Sequence, residues 1–145
     1  MKNFSKYVIA VLILVPLMCN GGPVDYVNTL VGSSSTNYLS TGNTYPAIAV
    51  PWGMNFWSPM TSKMGNRWMY SYNANEITGF KQTHQPSPWI DDYGQFAIMP
   101  TSGEIVFDPD DRCSWFSHKA EVATPYYYSV YLAEHDTFLE CAPTE

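Results

Sequence analysis

Alternation of apolar and polar positions is clearest near the end of the chain, in PYYYSVYLAEHDTFLECAP. Tyr128, Val130 and Leu132 fall on one face of an extended backbone, and Tyr127, Ser129 and Tyr131 on the other. Glu134-His135-Asp136 places polar turn residues between two such runs, so the pattern predicts a hairpin. RWMYSYN alternates in the same way and predicts a strand with Trp68, Tyr70 and Tyr72 sharing a face. QFAIMPTSGEIVFDPDD reads as two short strands around a Pro-Thr-Ser-Gly turn. TYPAIAVPWGMNFWSP is apolar, but Pro46, Pro51 and Pro59 forbid a long helix and leave short extended pieces. PVDYVNTLVG precedes it, joined by the polar loop SSSTNYLSTGN. No stretch sustains an apolar period of 3.6 residues, and there is no internal repeat or low-complexity tract. The pattern predicts an all-β domain built as a β-sandwich.

The first residues follow another pattern. Lys2 and Lys6 precede the apolar run YVIAVLILVPLM, too short to span a bilayer comfortably, and Cys19 and a soft NGG follow it. Residues 1–19 therefore read as a secretion signal. Cys19 occupies the lipid-attachment position of a bacterial lipoprotein, although Met18 stands where a small residue is usual. Ordinary cleavage nearby and a retained membrane anchor are the alternatives. Each of the first two readings makes the chain an exported one, in the periplasm or on the outer membrane or cell surface.

Composition narrows the class. The 145 residues make one domain at most, and 16% aromatic against 14% charged residues favours a packed β-protein over a disordered tail. The net charge is −6 and no Lys/Arg cluster exists, which argues against a nucleic-acid partner. Without Lys2 and Lys6 the 7 basic residues become 5, against 13 acidic ones. Cys113 and Cys141 could be joined in an exported chain, or remain two half-buried thiols.

Candidate chemistry is sparse outside one stretch. His84, His118 and His135 lack a second ligand at zinc spacing. The acidic DPDDR lacks the alternation and distal Glu of a calcium loop and reads as a solvated turn. Asp91 and Asp92 are adjacent, so they point to different faces and do not suit an acid/base pair flanking one bond. No nucleophile elbow, phosphate loop or Cys–His signature is present. GFKQTHQPSPWIDDYG, Gly79 to Gly94, stands apart and reads as a loop stiffened by Pro86 and Pro88. A sugar site wants flat rings beside hydrogen-bonding side chains, and this loop combines Trp89 and Tyr93 with His84, Gln85 and Asp92. The structural alternative is that Trp89 and Tyr93 plug a core edge while His84 pins the loop to the backbone.

Four spaced motifs carry a family resemblance. VDYVNTLVG, GNTYPAIAVPWGMNFWSP, YSYNANEITGFKQTHQPSPWIDDYGQFAIMPTSGE and FSHKAEVATPYYYSVYL run in one order from about Pro23 to the end. The order resembles the N-terminal domain of glycoside hydrolase family 92, the calcium-dependent exo-α-mannosidases. The resemblance implies an N-terminal β-sandwich, here residues 23–145 and truncated, followed in the whole enzyme by a helical (α/α)₆ barrel absent from this chain. It also implies inverting hydrolysis, in which a Glu protonates the leaving oxygen and an Asp activates water across the ring. Those carboxylates and most ligands of the Ca²⁺ cofactor belong to the helical domain, so no catalytic or metal-binding residue is expected here. The expected partners are a mannose-containing glycan, the missing helical domain and, through Cys19, a membrane. By position in the motif His84, Gln85, Trp89 and Asp92 become the substrate-binding residues, with Trp68 and Tyr70 as possible platforms. The GNTYP loop, Gly42 to Pro46, is a second candidate to face sugar, with Gly53 beyond it for close backbone approach. Where many members read GFSHTHLSG, this chain reads GFKQTHQPS, so Gln82 replaces a histidine and the linkage cut stays open. The chain ends directly after a predicted strand, which reads as truncation. A stand-alone carbohydrate-binding surface lipoprotein, or a surface lipoprotein without a ligand, is the alternative.

Overall fold

The computed structural model describes residues 21–35, 38–50, 53, 55–61, 70–84 and 96–143. Their regular structure is antiparallel strand, apart from a 3₁₀ turn at Pro23–Tyr26. One sheet has the order β1 (Phe56–Met60), β3 (Gly79–Thr83), β4 (Ala97–Ile98). A second pairs β2 (Glu76–Ile77) with β5 (Ser114–Trp115). A third runs β6 (Val122–Thr124), β7 (Tyr127–Leu132), β8 (Thr137–Cys141). The all-β expectation holds.

The sheets share one core. Phe80 of β3 meets Tyr128 of β7 edge to face at 5.9 Å, with Ile48, Ile77, Val130 and Leu132 buried around them. Each such side chain contributes roughly 1.5–3 kcal/mol by leaving water. Pro59 lies on β1, at the edge of its sheet, where a missing N–H is tolerated.

The C-terminal hairpin forms as its pattern predicts. Val130 faces Leu139 and Tyr131 faces Phe138 across the ladder, and Asp136 takes a left-handed turn conformation at φ 45°. Tyr128, Val130 and Leu132 point into the core, and Tyr131 stays exposed, although Ser129 on the same face as Tyr131 is also buried.

Three local expectations need correction. Gly79–Thr83 is not loop: it is the middle strand of its sheet, because β1 and β4 satisfy its backbone on both sides. Tyr70 and Tyr72 do not share a strand face, being 1% and 41% exposed. Their backbone is tied to scattered partners: Ser71 N–H donates to Thr61 Oγ1 and Tyr72 N–H to the Ser33 carbonyl. Trp68, the third member of that pattern, lies outside the described residues. After the Pro-Thr-Ser-Gly turn no second strand follows; Ile105 and Phe107 are exposed, and no ladder engages residues 104–107. Cys113 and Cys141 are free, half-buried thiols, and burial pushes both up from the ordinary thiol range, Cys113 also through Glu76 and Glu134.

Candidate functional site

The stretch singled out in the sequence begins as β3, and its residues from His84 on belong to the connection between β3 and β4. Phe80 pairs with Ile98 and Lys81 with Ala97, and Gln82 N–H donates to the Phe96 carbonyl at 3.2 Å. Both ends of the connection, His84 and Phe96, are thereby fixed at one end of the sheet. A connection this long between tightly paired strands is the kind that carries function rather than merely closing a turn. His84 is exposed just beyond β3. Gln85, Trp89 and Asp92 lie in the connection and outside the described residues.

The base of the connection is aromatic. Trp57, opposite Gln82 in the β1–β3 register, packs edge to face on Phe96 at 5.6 Å and 76°. Trp57 also lines an open, mostly apolar pocket of about 320 Å³ with Phe80, Leu139 and Cys141. The sequence reading missed Trp57 as a neighbour of this connection, since only the register brings residue 57 beside residue 82. Gly53 precedes β1, and its N–H donates to the Val50 carbonyl at 3.0 Å.

The GNTYP loop divides in two. Tyr45 and Pro46 are buried in the core, leaving Gly42, Asn43 and Thr44 toward the surface. Gly42 approaches Gly32 so closely that a Cβ on Gly42 would sit 2.8 Å from the Gly32 Cα. Ser35 Oγ accepts the N–H groups of Thr41 and Asn43 at 2.8 and 3.0 Å and fixes the loop. Asn43 is held at φ 54° with its Oδ1 buried and unpartnered, the kind of backbone and polar strain that recurs at ligand sites.

Tyr70, expected as a platform, has no open face: it is a core residue whose hydroxyl donates to Glu121. Burial first and the Glu121 carboxylate second push its phenol far above the ordinary range. The sequence held no signal for Glu121 as its partner. Among the described residues no group of three or more His, Cys, Asp or Glu side chains could hold a metal ion. Cys19 lies outside the described residues, among which no helix is long and apolar enough to cross a membrane.

The family model for the glycosyl hydrolase family 92 N-terminal domain matches residues 26–145. The chain belongs to glycosyl hydrolase family 92. Among solved structures, this family 92 domain is similar to an inverting mannosidase of family GH92 from Bacteroides thetaiotaomicron VPI-5482. The two are 55% identical with a TM-score of 0.72, over 80% of this chain and 16% of that one. A family GH92 α-mannosidase from Bacteroides thetaiotaomicron is 32% identical with a TM-score of 0.71, over 83% of this chain and 17% of that one. Its complex with mannoimidazole matches at 33% identity and a TM-score of 0.72, over 83% of this chain and 16% of that one. This family 92 domain therefore spans 16% to 17% of the length of these enzymes. No curated protein matches the chain.

Proposed function

We propose that this chain is the substrate-cleft domain of an exported α-mannosidase that removes terminal α-mannosides from glycans with inversion. The observation that supports the reading is 55% identity, over 80% of the chain, to a protein described as an inverting mannosidase. Inversion needs two carboxyl groups roughly 6.5–9.5 Å apart with a water between one of them and the sugar. In this reading the helical domain supplies both, together with Ca²⁺, which when bound polarises and holds the sugar hydroxyls. This chain contributes the β3–β4 connection. Trp89 stacks on the C–H face of the sugar, with Trp68 as a further platform. His84, Gln85 and Asp92 hydrogen-bond its hydroxyls. Pro86 and Pro88 reduce the entropy that the connection loses on binding. Lipidation at Cys19 holds the enzyme at the membrane surface.

The test compares the chain alone with the polypeptide translated from the same gene through to its stop codon. With α-mannobiose and calcium, the chain alone gives no turnover, and the longer polypeptide releases β-mannose first, as proton NMR of the fresh product shows. Trp89→Ala in the longer polypeptide lowers kcat/KM by about 10-fold or more, the equivalent of ~1.4 kcal/mol of transition-state binding, with an unchanged circular dichroism spectrum. A stop codon directly after Glu145, with calorimetric affinity for mannobiose, would replace this reading with a carbohydrate-binding surface lipoprotein. A stop and no affinity would leave a surface lipoprotein without a ligand.

A further inference from the structure

The Glu121 carboxylate is 0% exposed, yet three side chains converge on it. Tyr128 donates to Oε1 at 2.6 Å, and the Tyr70 hydroxyl lies 2.9 Å from Oε1 and 3.0 Å from Oε2. His118 Nδ1 lies 2.7 Å from Oε2. The other ring nitrogen of His118, Nε2, is 3.0 Å from the Ala74 carbonyl oxygen.

We infer that the proton shared by His118 and Glu121 resides on His118, making an imidazolium–carboxylate pair with a part-exposed ring and a buried carboxylate, and that this pair locks the segment from Tyr70 to Asn75 onto the β6–β7 sheet. The assignment follows from counting donors. A carbonyl oxygen only accepts, so Nε2 carries a hydrogen. That leaves one proton on the Nδ1–Oε2 axis, held by nitrogen or by oxygen. Tyr70 and Tyr128 each bring one hydroxyl proton. Burial first, then Glu121, keeps both phenols protonated and donating. Tyr70 is also 3.4 Å from Nδ1, but its shorter contacts are to the carboxylate. A carboxyl group that already accepts from two phenols is favoured in its ionised form, and a third charge-assisted donor fits it better than a proton of its own. The His118 ring is stacked on Tyr72, with centroids 4.2 Å apart and planes 26° apart, and Phe116 packs on it edge to face at 4.8 Å. A cation over the negative face of Tyr72 gains a further attraction that a neutral ring lacks.

The pair reaches every second residue of one segment. Tyr70 is held by its hydroxyl, Tyr72 by its ring and Ala74 by its carbonyl. Phe116 N–H then donates to the Asn75 carbonyl at 2.9 Å. Tyr70, Tyr72 and Ala74 are thus all seated on one charged pair. Glu121 acts as a positioning residue for the segment from Tyr70 to Asn75.

The test uses the full chain with ¹⁵N-labelled histidine. Two-bond proton–nitrogen correlation near neutral pH, with His118 assigned by His118→Gln, should show both ring nitrogens of His118 at protonated positions. Nδ1 at the unprotonated position would place the proton on Glu121 and overturn the inference. Amide exchange of Tyr72 should quicken by about 10-fold or more in Glu121→Gln while the β7–β8 amides keep their protection. The double variant His118→Gln/Glu121→Gln should lose no more protection than the worse single variant. Additive losses would show that the two side chains act independently and would sink the lock. If Glu121→Gln fails to fold, the wild-type nitrogen spectrum alone decides where the proton resides.

Discussion

At the scale of single residues, the GNTYP loop shows how a motif residue can be required by backbone geometry rather than by chemistry. Gly42 has φ 146° and backs onto Gly32. Gly42→Ala meets both a disfavoured conformation and a backbone contact of 2.8 Å that no flexible side chain can relieve. Gly103 is a matched control, with φ 82° and nothing within 4 Å of an added Cβ. Urea unfolding should find Gly103→Ala destabilising by about 1–2 kcal/mol, the cost of left-handed backbone alone. Gly42→Ala should be lower in stability by more than that, or fail to fold. Equal losses would mean the Gly32 contact relaxes freely. Sequence reading reaches such positions unevenly. A glycine in a motif announces itself. Glu121 does not, because nothing in FSHKAEVATP marks its one acidic residue as the partner of Tyr70, 51 positions earlier.

At the scale of elements, the β7–β8 hairpin is where pattern and structure agree, and its energetics follow from that pattern. Leu132 is fully buried and Phe138, on the partner strand, is 58% exposed. Leu132→Ala should cost about 2–5 kcal/mol through lost transfer energy and a cavity. Phe138→Ala should stay within roughly 0.5 kcal/mol, as surface positions do. Chemical denaturation of both variants checks the pair, and a large Phe138→Ala loss would mean that this face of β8 is covered in solution. The hairpin turn also ties in β5. Glu134 accepts from Ser114 Oγ at 2.8 Å and from the Trp115 N–H. Its burial works to raise its carboxyl, but those two hydrogen bonds prevail and hold it below the ordinary value of 4.5. A depressed carboxyl contributes stability above its unfolded value and loses it as pH falls through the folded one. The urea midpoint of the wild type should therefore fall more steeply on acidification below about pH 4.5 than that of Glu134→Gln. Parallel curves would remove Glu134 from the acid response. The strand β3 shows the opposite case. Its residues GFKQT carry no alternating apolar signal, and only β1 and β4 on either side make it a strand.

At the scale of the whole molecule, the chain is a family 92 N-terminal domain that spans 16% to 17% of the length of the enzymes it matches. By itself the sequence determined the class and the family. Aromatic richness, proline spacing, the absence of a helical period and four ordered motifs are one-dimensional properties, and each survives without knowledge of any contact. The β7–β8 hairpin was legible for the same reason, since its partners are neighbours in the chain and its turn lies between them. Only the tertiary structure decided that Gly79–Thr83 is a central strand, that Tyr70 belongs to the core, and that Trp57 and Phe96 stand at the base of the candidate sugar-binding connection. Those outcomes depend on partners far away in the chain. Which distant backbone satisfies a strand's hydrogen bonds, and which carboxylate a buried hydroxyl meets, are settled by packing, where an unpaired polar group costs more than any local preference.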